Sequence, residues 1–280
     1  MEPGCDENVI VCERLTHVYR GGVTALKDVD LTIRKGEVVG VIGQNGAGKT
    51  TLVKHFNGLL KPSAGRVLVR GVDTKNESVQ SLSRHVGYVF QNPNHQLFAK
   101  TVRDDLAFGP LNLGMGADEV AHRVDEAVEF FVLHDVLDKH PYRLSFPLRK
   151  LVGLASIFTM KPEVFVLDEP TTGQDHKGVR LIGKLMQRLR DEGYTVVAVS
   201  HDMMLIAEYC DRVLVVGDGR ILQDGPPQDV FADVALLRRT HLHPPQVTEL
   251  SYRVRDELGT GPILTVKRFV EVLQEKCAGS

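Results

Sequence analysis

The chain has no long apolar run, no paired cysteines and no excess charge of either sign, and each absence removes a class of protein. Its apolar stretches, such as Glu37–Ile42 and Arg212–Val216, are of strand length, well short of the roughly 18 residues that a membrane-spanning helix needs. The four cysteines, Cys5, Cys12, Cys210 and Cys277, are scattered without a C-x-x-C pair. That speaks against a disulfide framework or a zinc site and for a reducing cytoplasm. Lys plus Arg number 34 against 36 Asp plus Glu, a net charge of −2, so there is no electrostatic case for nucleic acid as the main partner. Met1–Asn8 is acidic and lacks an apolar h-region, and is not expected to be a signal peptide. No internal repeat and no low-complexity tract is present. What remains is 280 residues of ordinary globular composition, 42% hydrophobic and 25% charged, enough for one large domain with attached subdomains or for two modest ones.

The first third reads as β-rich, with runs at Val9–Glu13, Val29–Ile33, Val38–Ile42 and Arg66–Val69 separated by glycine-containing turns. Val38–Ile42 meets a glycine-rich loop, and Thr51–Phe56 follows with helical spacing. Between Gly114 and Leu144 the pattern turns helical, over Ala117–Leu133 and Val136–Asp138, with Pro141 as an interruption. This predicts a helical subdomain inserted in an α/β core. Leu151–Phe158 reads as a further helix, Val164–Leu167 as a buried strand, and Leu181, Ile182, Leu185, Met186 and Leu189 as a helical stripe stopping at Gly193. Thr195–Val199 is another short β-branched strand, and Arg212–Val216 with Arg220–Leu222 reads as a hairpin. Two helical segments, around Gln246–Leu258 and Val266–Gln274, form a C-terminal appendage. The expected division is 8–231 for the main domain, with its helical part at about 92–160, and 232–280 for the extension.

Gly43-Gln44-Asn45-Gly46-Ala47-Gly48-Lys49-Thr50 fits G-x-x-x-x-G-K-[ST] at every fixed position, with Thr51 next. Glycines let backbone N–H groups converge on phosphate oxygens, Lys49 supplies a point charge to the β and γ phosphates, and the Thr50 hydroxyl suits magnesium. A helix beginning near Thr50 adds its positive end. A chance match in a chain this long arises about once in a hundred sequences. The strand before the loop and the helix after it point to ATP with Mg2+. Val164–Asp168 is an apolar strand that delivers a carboxylate at its carboxyl end, where α/β folds place ligands, so Asp168 is a candidate magnesium partner. Glu169 follows directly and is placed to polarise a water. His201 repeats this geometry after Thr195–Val199. Gln91, after Val86–Phe90, is a neutral side chain that can ligate magnesium and sense the γ-phosphate.

The order of these elements closely resembles the ATPase subunits of ATP-binding-cassette (ABC) transporters, from about residue 9 to residue 230. The resemblance implies that Tyr19 stacks on adenine, Gln91 is the Q-loop residue, Glu169 the catalytic base and His201 the switch histidine. Thr171-Thr-Gly-Gln-Asp175 would be the D-loop. The stretch Val89-Phe-Gln-Asn-Pro-Asn-His-Gln-Leu-Phe98, then Thr101-Val102 and Asp105 to Gly114, resembles energy-coupling factor (ECF) transporter ATPases, which serve vitamin and transition-metal uptake. Leu242–Leu250, Thr265-Val266 and Phe269 resemble that family's C-terminal extension. Membership implies an ABC-type P-loop NTPase fold: α/β, with a RecA-like core, an N-terminal antiparallel β-subdomain and an inserted helical subdomain. It also implies peripheral attachment at the cytoplasmic face of the cell membrane. There an integral membrane coupling subunit, paired with a substrate-binding membrane protein, would lodge two short helices in grooves beside Gln91–Phe108.

One motif departs from the family. A Leu-Ser-Gly-Gly-Gln signature normally caps the γ-phosphate bound to the opposing subunit, and the matching position here reads Leu144-Ser145-Phe146-Pro147-Leu148. Phe146 adds bulk and Pro147 deletes an N–H where backbone must approach phosphate. Arg149-Lys150 keeps positive charge, but Leu151 stands where a basic residue is usual. Either the signature has drifted and turnover is slower, or the chain is half of an asymmetric heterodimer. Losing one oxyanion-type donor costs about 3–4 kcal/mol of transition-state stabilisation, which favours a silent second site and a partner ATPase with a regular signature. The rival readings are another ABC transporter ATPase and a largely non-hydrolysing ATP-binding scaffold subunit. A DNA-repair ABC ATPase is disfavoured because there is no long coiled-coil insertion. His241 and His243, two residues apart with no carboxylate or thiol nearby in sequence, do not make a convincing metal site.

Overall fold

Alternating apolar and polar residues near the N-terminus build an antiparallel sheet, and fully apolar runs further on build a parallel one. The structure, a computed structural model, describes residues 8–254, 256 and 259–278. The signal-peptide reading of Met1–Asn8, except Asn8, and Cys5 with it, lie outside the described residues, as do three positions at the end of the Gln246–Leu258 reading. Strands β1 (Asn8–Val18) and β2 (Thr24–Arg34) pair antiparallel, with Ile10 opposite Ile33. After β3 (Val38–Ile42) leaves for the second sheet, β4 (Ala64–Val69) and β5 (Val72–Asp73) return, giving the order β2-β1-β4-β5.

The second sheet contains β3, β6 (Val86–Val89), β7 (Val164–Asp168), β8 (Thr195–Val199), β9 (Arg212–Gly217) and β10 (Arg220–Gly225) in the order β10-β9-β3-β8-β7-β6. All pairs are parallel except the β9–β10 hairpin. Strands β3, β6, β7 and β8 are buried along their whole length, as parallel strands covered on both faces must be. Their carboxyl ends lie side by side, so the segments leaving β3, β6, β7 and β8 reach one edge of the sheet together.

Helix α1 (Lys49–Lys54) follows β3 directly, and α2 (Val79–Leu82) precedes β6. The helical part contains α3 (Val102–Asn112), α4 (Ala117–Phe131) and α5 (Phe146–Phe158). Thr101 caps α3 by accepting from the Asp104 N–H at 3.1 Å. Val120, Val124, Ala127, Val128 and Phe131 form the buried stripe of α4 and share a core with Leu106, Val152 and Phe158. The expected start of α5 at Leu151 is corrected: it begins at Phe146. Ser145 is its cap residue and Pro147 lies in the first turn, where a missing N–H breaks no helical bond.

Helix α6 (His176–Asp191) carries the predicted stripe, and α7 (Met203–Tyr209) follows β8. The chain ends in α8 (Pro227–Ala232), α9 (Val234–Arg239), α10 (Gln246–Arg253) and α11 (Val266–Ala278). Helix α10 ends at Arg253, and Val254, partly buried, packs with Phe269 on the small cluster of Ile263 and Val272. The Tyr252 hydroxyl donates to the Phe231 carbonyl at 2.8 Å and ties this extension to α8. Among the described residues no helix is long and apolar enough to cross a membrane.

Candidate functional site

The loop between β3 and α1 is pressed between two other strands, which explains its glycines. Gly43 has φ 154° and a Cβ there would stand 2.2 Å from the Val216 carbonyl oxygen. Gly48 has φ 107° and a Cβ would stand 2.6 Å from the Ala25 carbonyl oxygen. Lys49 is only 6% exposed, and its Nζ donates to the Gly43 and Gln44 carbonyls at 2.8 and 2.9 Å. Burial lowers its pKa, while the charges of Glu169 and Asp168 act to raise it.

The ends of β7 and β8 supply the acids and the imidazole. Asp168, 1% exposed, accepts a hydrogen bond from the Thr50 hydroxyl on Oδ1 at 3.1 Å and from the Tyr88 hydroxyl on Oδ2 at 2.6 Å. Glu169 Oε1 lies 3.1 Å from His201 Nε2. Burial raises the pKa of Glu169, opposed by Lys49 and by the His201 backbone N–H. His201 is pushed down, by burial and then by the charge of Lys49. The pair therefore combines a carboxylate of raised proton affinity with a neutral imidazole, an arrangement suited to accepting a proton from water.

A cavity of about 370 Å³ is lined by Tyr19, Val23, Thr24, Ala25, Asn45, Gly46, Gly48, Lys49, Thr50, Thr51, Gln91, Glu169 and His201. Residues that follow β3, β6, β7 and β8 thus meet in one cavity with others from the end of β1 and the start of β2. The Tyr19 hydroxyl lies 3.0 Å from Thr51 Oγ1, and the residue is 40% exposed. Gln44 and Ala47 instead line a separate hollow beside Gly217, Asp218 and Arg239. Magnesium fits the donor set. The buried Asp168 carboxylate receives its two side-chain hydrogen bonds from neutral hydroxyls, and hard oxygen donors are what that ion takes. Asp168 and Thr50, with Gln91 facing the same cavity, would hold it, and it would neutralise charge on phosphate oxygens.

Residues 26–172 match the family profile described as ABC transporter. This chain belongs to the ABC transporter family. An energy-coupling factor transporter ATP-binding protein, EcfA, of Methanoculleus marisnigri is 44% identical over 243 residues, covering 86% of this chain and 88% of that protein. A putative ABC transporter ATP-binding protein of Caldanaerobacter subterraneus subsp. tengcongensis is 43% identical over 246 residues, 88% of this chain; the chain spans only 43% of that relative. Among solved structures, cbiO1 of Clostridium perfringens, part of the ABC transporter complex cbiONQ, superposes with TM-score 0.73 at 36% identity. That match covers 89% of this chain and 99% of the other. The chain is therefore an ATP-binding, ATP-hydrolysing subunit of the energy-coupling factor type.

In this ABC ATPase the stretch Leu144–Leu148 does not line the cavity that holds Lys49 and Glu169. It forms the start of α5, where the Phe146 ring lies against Gly173 and the Pro147 carbonyl accepts from Gln174 Nε2 at 2.9 Å. The stretch Thr171–Asp175, the expected D-loop, thus touches Phe146 and Pro147 of its own chain. Two residues near the site were not among the site residues expected from the sequence. Tyr88 reads as one more apolar position of a buried strand. Lys150, which the sequence marks only as keeping positive charge beside the signature, is 1% exposed. Glu249 stands 3.7 Å from His243, a carboxylate that the local sequence did not place there. Even so, the described residues contain no group of three or more His, Cys, Asp or Glu side chains able to hold a metal.

Proposed function

We propose that this chain is one half of an asymmetric ATPase pair that drives uptake of a vitamin or a transition-metal ion through a membrane coupling subunit at the cytoplasmic face of the membrane. The observation that supports this reading is the lining of the cavity. The cavity gathers Lys49, Thr50, Gln91, Glu169 and His201 and contains no residue of Leu144–Leu148. The chain's own signature has no N–H at Pro147, in the first turn of α5. A partner ATPase with a regular signature would complete the site over Lys49. This chain's signature would leave the partner's site poorly catalytic.

The chemistry follows from the side chains present. Lys49 binds the β and γ phosphates, and magnesium, when bound, adds charge neutralisation. Glu169 takes a proton from the attacking water as the water oxygen bonds to the γ phosphorus and the bond to the β–γ bridging oxygen breaks. His201 holds the γ-phosphate end and orients Glu169. Tyr19 stacks on the adenine.

A second feature supports attachment to a membrane subunit. A groove of about 440 Å³ is lined by Gln96, Phe98, Asp105, Phe108, Gly109 and Met160 among others. Phe98 and Phe108 are 62% and 48% exposed and meet edge to face with centroids 4.6 Å apart. Asp105 Oδ1 accepts from the Phe98 and Ala99 N–H groups, while its buried Oδ2 has no hydrogen-bond partner among the described residues. An incoming short helix with apolar side chains and one donor would fill the groove and satisfy that oxygen.

The test is affinity purification of the tagged chain from native membranes, followed by ATPase assays of the complex and of the chain alone. The expected outcome is a second ATPase plus membrane proteins in the complex, and little turnover by the isolated chain. Robust turnover by the chain alone, unchanged by its partner, would refute the asymmetry. Transport that survives Glu169→Gln in the complex would favour the scaffold reading instead.

A further inference from the structure

A buried ammonium links the degenerate signature helix to the catalytic edge. Lys150 lies in α5 and is 1% exposed, a burial that lysine tolerates only when its charge is compensated. Its Nζ donates to the Gln91 carbonyl at 3.1 Å and, at short range, to the Glu169 carbonyl. Among the described residues no carboxylate stands within ion-pairing distance of it. Burial pulls its pKa down to about 8, against the favourable field of Glu169 and Asp168. The compensation thus comes from two backbone dipoles and a more distant field.

Those carbonyls belong to the two segments whose positions matter most. Glu169 adopts φ 51°, the left-handed region that a non-glycine residue occupies only when its surroundings enforce it. Its N–H is fixed by the Val199 carbonyl at 2.9 Å, and its own carbonyl receives Lys150. Gln91 begins the segment that leaves β6 and faces the cavity. The three N–H donors of an ammonium radiate from one atom, so a single group can hold carbonyls arriving from different segments.

We propose that Lys150 is a positioning residue for hydrolysis, fixing the backbone of Glu169 and Gln91 to α5 so that the base and the Q-loop keep one geometry relative to the bound nucleotide. This rests on the reading of Glu169 as the base. Lys150 touches neither the cavity nor the Gly43–Thr50 loop, so its loss acts on the chemical step and spares nucleotide binding.

The test compares wild type with Lys150→Met, Lys150→Gln and Glu169→Gln. ATP turnover is measured in the complex that co-purifies with the full chain, and ATP affinity in the full chain itself, at a temperature where circular dichroism shows every variant folded. Lys150→Met keeps the length of the stem and removes every donor. Its kcat is expected to fall about 10- to 100-fold while KM and the Kd for ATP change less than about threefold. Lys150→Gln, which retains an N–H donor, is expected to fall between wild type and Lys150→Met, and it carries the comparison if Lys150→Met does not fold. A folded Lys150→Met with wild-type kcat, or Lys150→Gln no better than Lys150→Met, overturns the proposal. So does a Kd that rises in step with the loss of kcat, because that marks general collapse of the site. If Glu169→Gln retains full turnover, the base assignment fails, and the proposal built on it fails for that separate reason.

Discussion

Replacing Tyr88 with phenylalanine removes one oxygen atom and isolates the part that the Tyr88 hydroxyl plays at the magnesium-holding carboxylate. Tyr88 is 4% exposed and its hydroxyl donates to Asp168 Oδ2 at 2.6 Å, leaving Oδ1 toward Thr50. A hydrogen bond to a charged group contributes about 1.5–3 kcal/mol, and here its loss leaves a buried carboxylate oxygen without that donor. Tyr88→Phe should therefore lower the free energy of unfolding by about 2 kcal/mol, read by urea titration in the presence of chelator. Partners that orient a metal-holding carboxylate typically govern metal affinity by 10- to 100-fold. The magnesium concentration that half-saturates tight binding of a fluorescent ATP analogue should accordingly rise about tenfold. Binding of the same analogue without magnesium should not change, since the Gly43–Thr50 loop is untouched. A magnesium midpoint within twofold of wild type would refute the reasoning. A tighter midpoint would also refute it, since the phenol would then compete with the ion.

Two further outcomes are expected. His55 is wholly buried, with Nδ1 2.7 Å from the Thr51 carbonyl, and burial pushes it down to about 4 from its usual 6.5. Its contribution to stability is full above pH 6.5 and is lost as pH falls toward 4, by about 3 kcal/mol at ~1.4 kcal/mol per pH unit; urea titrations at several pH values should show this slope, and His55→Asn should flatten it. In the signature, Pro147→Gly restores an N–H in the first turn of α5 and should raise the ATPase rate of the isolated chain at least about tenfold; no change would mean that Pro147 is not what disables it.

The sequence by itself determined the glycine-rich loop, the strand-borne Asp168 and Glu169, most strands, and the helices α1, α4, α6, α10 and α11. Those features depend on short-range rules: the spacing of glycines before Lys49-Thr50, an apolar run ending in a carboxylate, and side-chain periodicity along one helix or strand. It left α2, α3, α7, α8 and α9 unread, and where it predicted helix at Val136–Asp138 only a short 3-10 turn at His134–Val136 forms. It misjudged the start of α5, because Phe146-Pro147 looks like loop until Ser145 is seen to sit at the cap position with Pro147 in the first turn. Only the tertiary structure decided which distant groups meet. Tyr88 is directly opposite Val166 in the β6–β7 register, so Asp168, two residues further along, shares its face of the sheet. That pairing spans 80 positions of the chain, and within a strand buried on both faces no alternation marks one residue as special. The same holds for Lys150, whose surroundings are made by Gln91, 59 positions earlier, and Glu169, 19 positions later. Local geometry fixes what a segment is. Only the order of strands in the sheet and the packing of α5 against them fix which neighbours a buried hydroxyl or ammonium will find.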